Sequence, residues 1–207
     1  MTPIGRNCRI FTASSLAAAA AAALALGSGC GGEEEDSVDP GSANPDSELT
    51  LEEARAPVAD ADPALASLRE QANEILDGGK DGFDSRLAEL EAAGIPVVVN
   101  KWASWCGPCR EEFPDFQAQA IERGNEVAFL GLLSNDGPET GETFLSELPL
   151  PYPSYLDSDQ EIAFDRGIAR EFPTTVFIAS DGEVAHTKVG PYTSEDELAA
   201  DIERYAQ

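Results

Sequence analysis

The arrangement of apolar residues predicts an α/β sandwich around a mixed sheet, and three observations carry that prediction. A run opened by Val97-Val98-Val99 and continuing through Trp102, and a second from Val127 to Leu133, have the composition of strands covered on both faces. Stretches with helical spacing of apolar residues separate the strand-like runs. Near the carboxyl end, Asp181-Gly182 joins two apolar segments across two residues, the signature of a hairpin, so at least one pair of strands is antiparallel.

In chain order, Leu65, Leu68, Ala72, Ile75 and Leu76 mark one helical face ending at Gly78-Gly79, which predicts an N-terminal extension helix within 63–82. A second helix is predicted from about Phe83, with Leu87 and Leu90 inward and Gly94 as its stop. The strand through Trp102 follows, then a helix from the 106–109 region to about Arg123, interrupted at Pro114. After the Val127–Leu133 strand come a helix over Glu139–Leu148, a short strand over Tyr152–Leu156 and a helix over Gln160–Arg166. Leu148 to Pro153, with three prolines, reads as a stiff connector. Strands over Thr174–Ala179 and Val184–Val189 and a helix from about Ser194 complete the chain, without internal repeats.

The 207 residues accommodate one domain with extensions. Thirty-nine acidic against 13 basic side chains, a formal net charge of -26, exclude a nucleic-acid backbone as a natural partner and disfavour anionic lipid held by charge alone. Residues 31–62 are rich in Gly, Pro, Ser and acid, with Arg55 the only cation; with Cys30, they are read as an acidic flexible linker over 30–62. Residues 1–29 read as a signal peptide, with Arg6 and Arg9 ahead of an apolar stretch from Ala13 to Leu26. The segment Leu26-Gly27-Ser28-Gly29-Cys30-Gly31 resembles a bacterial lipoprotein signal, which implies lipidation of Cys30, although Gly27 stands where such signals carry an apolar residue. An uncleaved anchor from Ile10 to Gly29 is the alternative. Both place the domain outside the cytoplasm, on the outer face of the membrane.

Four cysteines are present: Cys8, Cys30, Cys106 and Cys109. Cys8 leaves with the signal and Cys30 takes lipid, so the exported domain keeps one pair two residues apart. In Trp105-Cys106-Gly107-Pro108-Cys109-Arg110, Gly107 permits a tight turn out of the strand, and Pro108 suits a first helical turn. Cys106 then sits where free N–H groups and the helix dipole favour a thiolate, with Cys109 one turn on to resolve a mixed disulfide. Two readings compete: a zinc site, for which the folded part offers only His186 beyond these two thiols, and a chance pair of cysteines in a buried strand-helix turn, against which the surrounding residues argue.

Val97-Val98-Val99-Asn100-Lys101-Trp102-Ala103-Ser104-Trp105-Cys106-Gly107-Pro108-Cys109 resembles the active-site strand and turn of thioredoxins. Cys109-Arg110-Glu111-Glu112-Phe113-Pro114 is similar to the continuation in the membrane-anchored, extracytoplasmic TlpA-like branch. The resemblance covers 83–207 and implies a thioredoxin-like three-layer α/β/α sandwich, preceded by the extra helix and a disordered tether. It implies that Pro173, in Glu171-Phe172-Pro173-Thr174-Thr175, is a cis-proline beside the cysteines, and that Phe172 and Pro173 meet the incoming peptide. Gly190 also resembles the family pattern. Trp105 would flank the reactive face, and Trp102 would mainly pack. Asn100 stands where many thioredoxins carry a proton-relaying aspartate, so the proton must pass through another group or water; Glu112 matches a family position, and the resemblance makes it the candidate relay, against a reading as a solvated helix carboxylate. His186 is read as a strand surface residue.

The implied activity is thiol:disulfide exchange through Cys106 and Cys109, with disulfide-bearing protein substrates, an upstream thiol donor and a monomeric enzyme. This chemistry requires no metal or organic cofactor. Reduction is the expected direction, because Gly-Pro between the cysteines resembles reducing thioredoxins. The alternatives are a thiol-oxidising member of the same fold and a non-enzymatic copper carrier, the latter favouring three residues between the cysteines. A peroxide-reducing relative would carry a lone cysteine in a Thr-containing loop, which nothing here resembles.

Overall fold

The computed structural model describes residues 49–207. The signal segment, Cys30 and most of the predicted linker lie outside the described residues. Among the described residues the chain runs α1 (Leu51–Ala54), α2 (Pro63–Glu70), β1 (Ile75–Leu76), α3 (Gly79–Ala92), β2 (Val97–Trp102), α4 (Gly107–Arg123) and β3 (Ala128–Ser134). It continues through α5 (Pro138–Glu147), β4 (Ser154–Asp157), α6 (Glu161–Asp165), β5 (Thr174–Ile178), β6 (Val184–Val189) and α7 (Glu195–Tyr205).

The six strands form one sheet in the order β1-β4-β3-β2-β5-β6. β2, β3, β4 and β1 are mutually parallel where paired, while β5 runs antiparallel to both β2 and β6. Alternation within the central strands feeds two apolar layers. Val98, Trp102, Phe129, Leu133 and Phe177 face α4, α5 and α7 through Phe113, Phe116, Phe144 and Leu198. Val97, Val99, Leu130, Leu132 and Val176 face α2, α3 and α6 through Leu68, Phe83, Leu90 and Ile162. The result is the expected three-layer α/β/α sandwich, with β2 and β3 buried along their whole length.

Two parts of the sequence reading need correction. The extension helix over 63–82 ends at Glu70, and Ile75 and Leu76 form an edge strand parallel to β4. Asn73 makes the break: it adopts left-handed backbone (φ 66°), a conformation Asn tolerates, and its side chain bonds the carbonyl of Leu145 and the N–H of Leu150. The helical spacing of Ile75 and Leu76 is thus overruled by pairing with residues nearly eighty positions away.

The second correction concerns the linker, whose last part is ordered. Thr50 caps α1 with a reciprocal capping box to Glu53, and Ala54 is fully buried. Arg69, itself buried, donates to the carbonyls of Ala54 and, at 2.8 Å, Ala120, tying the arm to the last turn of α4. Composition cannot reveal such an anchor, because the cation that supplies it lies in the next helix.

Smaller differences follow ordinary rules. α4 continues through Pro114 without a break, held inward by Phe113 and Phe116. The Asp181-Gly182 link is a hairpin turn in which Gly182 takes φ 82° and donates to Ala179. Ser194 caps α7 through the N–H of Glu197.

Candidate active site

The carboxyl end of β2 delivers the chain into the site. Cys106 is the N-cap of α4, its backbone extended, and Gly107 and Pro108 are the first helical residues. The N–H of Cys109 points at the Cys106 sulfur, 3.2 Å away. The two cysteines are joined as a disulfide, with Cα atoms 5.3 Å apart. Cys106 is 5% exposed and Cys109 is fully enclosed, so of the two cysteines it is Cys106 that keeps some exposure. Beside it Trp105 is 56% exposed, an unusual position for so large an apolar side chain.

A loop after β3 braces this turn. Asp136 accepts from the Ser104 N–H at 2.6 Å, and the indole N–H of Trp105 donates to the carbonyl of Asn135 at 3.1 Å. Burial, the largest single influence, pushes the Asp136 carboxyl up, but hydrogen bonds from Ser104, Thr140 and Gly137 together outweigh it and hold the carboxyl below its ordinary range. Residue types alone gave no sign of this brace, although Asn135-Asp136-Gly137 is a recognisable turn signal.

The predicted proline lies on the other flank. The Phe172–Pro173 bond is cis, Pro173 is buried, and its carbonyl accepts from the N–H of Gly190, which adopts φ 94°. The Phe172 ring meets the Trp105 ring edge-on, with centroids 4.9 Å apart, which joins the proline segment to the cysteine turn.

β2 and α4 also share a buried polar pair. Glu112, one turn past Cys109, is fully buried, so it is not a solvated helix carboxylate. Its Oε1 accepts from the Asn100 side-chain amide at 2.8 Å, and its Oε2 from the backbone N–H of Tyr192 at 3.0 Å. Burial is the dominant influence and pushes the carboxyl up to about 7, against the opposing pull of these two hydrogen bonds. Asn100 and Glu112 are therefore brought together.

Lys101 was not singled out by sequence reasoning, yet it is fully buried with its ammonium at the carbonyls of Ala169 (2.6 Å) and Glu171 (3.3 Å). Burial pulls its affinity for a proton down, offset in part by Asp157 and Glu171. Trp102 packs against Phe113 and Phe144, as a core aromatic would. His186 lies on β6 and stacks on Tyr205. Among the described residues, no three His, Cys, Asp or Glu side chains converge as a metal site would require.

The sequence profile of the redoxin family matches residues 57–202. The chain is similar to the thiol-disulfide oxidoreductase ResA of Oceanobacillus iheyensis, at 33% identity over 66% of this chain and 67% of that one. It is also similar to the sporulation thiol-disulfide oxidoreductase A of Bacillus subtilis, at 31% identity over 55% of this chain and 73% of that one. In fold it is similar to a secreted Mycobacterium tuberculosis disulfide oxidoreductase, with a TM-score of 0.52, 24% identity, and coverage of 66% of this chain and 97% of that one. With a cysteine pair at the start of a helix on a thioredoxin-like sheet, this chain belongs to the redoxin family as a TlpA-like thiol-disulfide oxidoreductase of the thioredoxin superfamily.

Proposed function

We propose that the enzyme reduces disulfides in exported proteins, with Cys106 as nucleophile and Cys109 as resolving thiol. The observation that carries the roles of the two sulfurs is the capped geometry of Cys106: the outer sulfur sits at the mouth of α4 and accepts an N–H bond from Cys109. That environment favours a thiolate over a thiol. The Gly107-Pro108 pair, which resembles that of reducing thioredoxins, supports the direction. The Cys106 thiolate attacks one sulfur of a substrate disulfide, forms a mixed disulfide and expels the other sulfur as a thiolate. Cys109 then gives up its proton and attacks the Cys106 sulfur, which releases the second substrate thiol and leaves the enzyme disulfide. Two electrons pass to the substrate, and an upstream dithiol restores the enzyme.

Glu112 serves as the proton acceptor for Cys109. A carboxyl pushed up to about 7 is part ionised and part protonated near neutral pH, which suits a group that must both take and return a proton. Trp105, Phe172 and Pro173 form the surface that the substrate chain meets. Titration of the dithiol against glutathione tests the direction. The expected midpoint lies near about -270 mV, in the range of reducing thioredoxins, whereas one near about -120 mV would identify a thiol oxidant.

Export and lipidation of Cys30, followed by a tether to the outer face of the membrane, complete the proposal. The signal-like pattern of residues 1–29 and the single remaining cysteine pair support it. Mass spectrometry of the amino-terminal peptide from membranes of the producing cell is expected to find a diacylglyceryl-modified Cys30. An unmodified peptide that begins upstream of it would rule this out.

A further inference from the structure

Lys101 stands in a central strand buried along its whole length, where Val97, Val98, Val99 and Trp102 are apolar and the polar side chain of Asn100 donates to Glu112. Placing an ammonium there is unfavourable unless its three protons find acceptors. No carboxylate lies within ion-pair distance of it among the described residues. Its contacts are the carbonyls of Ala169 and Glu171 and the face of the Phe172 ring, whose centroid is 4.0 Å from Nζ. All three belong to one irregular stretch, 169–172, that leads directly into Pro173.

Among the described residues, that stretch is held by few other hydrogen bonds, and Phe172 packs against the core layer that holds Trp102 and Phe113. Thr174 Oγ1 shares the Glu171 carbonyl, and Phe172 leans on the exposed Trp105. From a central strand of the sheet, Lys101 thus reaches the segment that carries Phe172. We propose that Lys101 is a positioning residue for substrate recognition: its buried ammonium fastens the 169–172 backbone so that Phe172 and Pro173 are held ready for the incoming chain. This rests on the reading of Phe172 and Pro173 as the substrate-binding surface. Lys101 takes no part in the sulfur chemistry, because its contacts all lie on the proline segment.

The test is steady-state reduction of insulin by the full chain, with dithiothreitol as donor. It compares the unaltered enzyme with Lys101→Met, Lys101→Gln and Pro173→Ala. Lys101→Met keeps the length of the stem and removes the charge, and is expected to raise KM about tenfold while kcat stays within about threefold, the pattern of lost uniform binding. Lys101→Gln, which retains a neutral donor, is expected to fall between them. If Lys101→Met does not accumulate as folded protein, Lys101→Gln carries the comparison. The glutathione midpoint of each lysine variant should match that of the unaltered enzyme, since a disturbance of the cysteine turn would shift it. An unchanged KM in a folded lysine variant, with KM raised in Pro173→Ala, overturns the role of Lys101 alone. An unchanged KM in Pro173→Ala removes the binding surface itself, and with it this proposal. A lysine variant with a shifted midpoint or a collapsed kcat also overturns it.

Discussion

Cys106→Ser is expected to abolish disulfide exchange, with turnover falling by about a thousandfold or more, while Cys109→Ser turns the enzyme into a trap. The two outcomes differ because the sulfurs occupy different places. Cys106 caps α4 and is the cysteine of the pair that keeps some exposure, whereas Cys109 is fully enclosed one turn further on. Without Cys106 no thiolate meets the substrate. Without Cys109 the first attack still proceeds, but nothing displaces the captured chain. Non-reducing electrophoresis of Cys109→Ser from the producing cell is expected to show mixed disulfides that collapse on adding dithiothreitol. The same adducts should be missing from the Cys106→Ser, Cys109→Ser double variant. Adducts that persist in the double variant, or form equally with Cys106→Ser alone, would reverse the assignment of the two thiols.

Glu112→Gln is expected to separate stability from turnover. The folded protein raises this carboxyl from 4.5 to about 7, chiefly by burial. Below about pH 4.5 the group is protonated whether the chain is folded or not, and the buried anion imposes no penalty. Between there and about pH 7 the unfolded chain releases the proton while the folded one keeps it, so stability declines as pH rises. Above pH 7 the full difference is felt, about 3 kcal/mol at ~1.4 kcal/mol per unit. Gln is neutral at every pH and can still accept from Tyr192 and pair with a rotated Asn100 amide. The oxidised variant should therefore melt roughly 5–10 °C higher than the unaltered protein near pH 8, with the gain gone near pH 4. Its turnover near pH 7 should fall about a hundredfold, because the acceptor for the Cys109 proton is lost. Calorimetry across that pH range, set beside insulin reduction, checks both. A stability gain without loss of turnover would leave Glu112 a buried carboxyl with no part in resolution.

Much of the cysteine site was legible because its signals are local. A strand opened by Val97-Val98-Val99, a Gly-Pro pair suited to a helix start and two cysteines one turn apart lie within thirteen consecutive residues. Their geometry follows from strand and helix rules alone. The surroundings were less legible in proportion to their distance along the chain. Glu112 could be named as a relay candidate, but its burial depends on Asn100 twelve positions earlier and Tyr192 eighty later. Lys101 looked like an ordinary strand residue, since nothing near it announces that the carbonyls of Ala169 and Glu171 will arrive beside it.

Sequence by itself therefore determined the layered α/β architecture, the antiparallel hairpin and the placing of Cys106 at the mouth of a helix. All of these rest on periodicity, turn chemistry and capping, which act within a few residues. Tertiary structure alone decided that Ile75 and Leu76 are a strand, that the end of the acidic arm is pinned by Arg69, and which polar side chains are buried. Those outcomes depend on hydrogen bonds and desolvation between segments far apart in the chain. Their free energies exist only once the sandwich has closed.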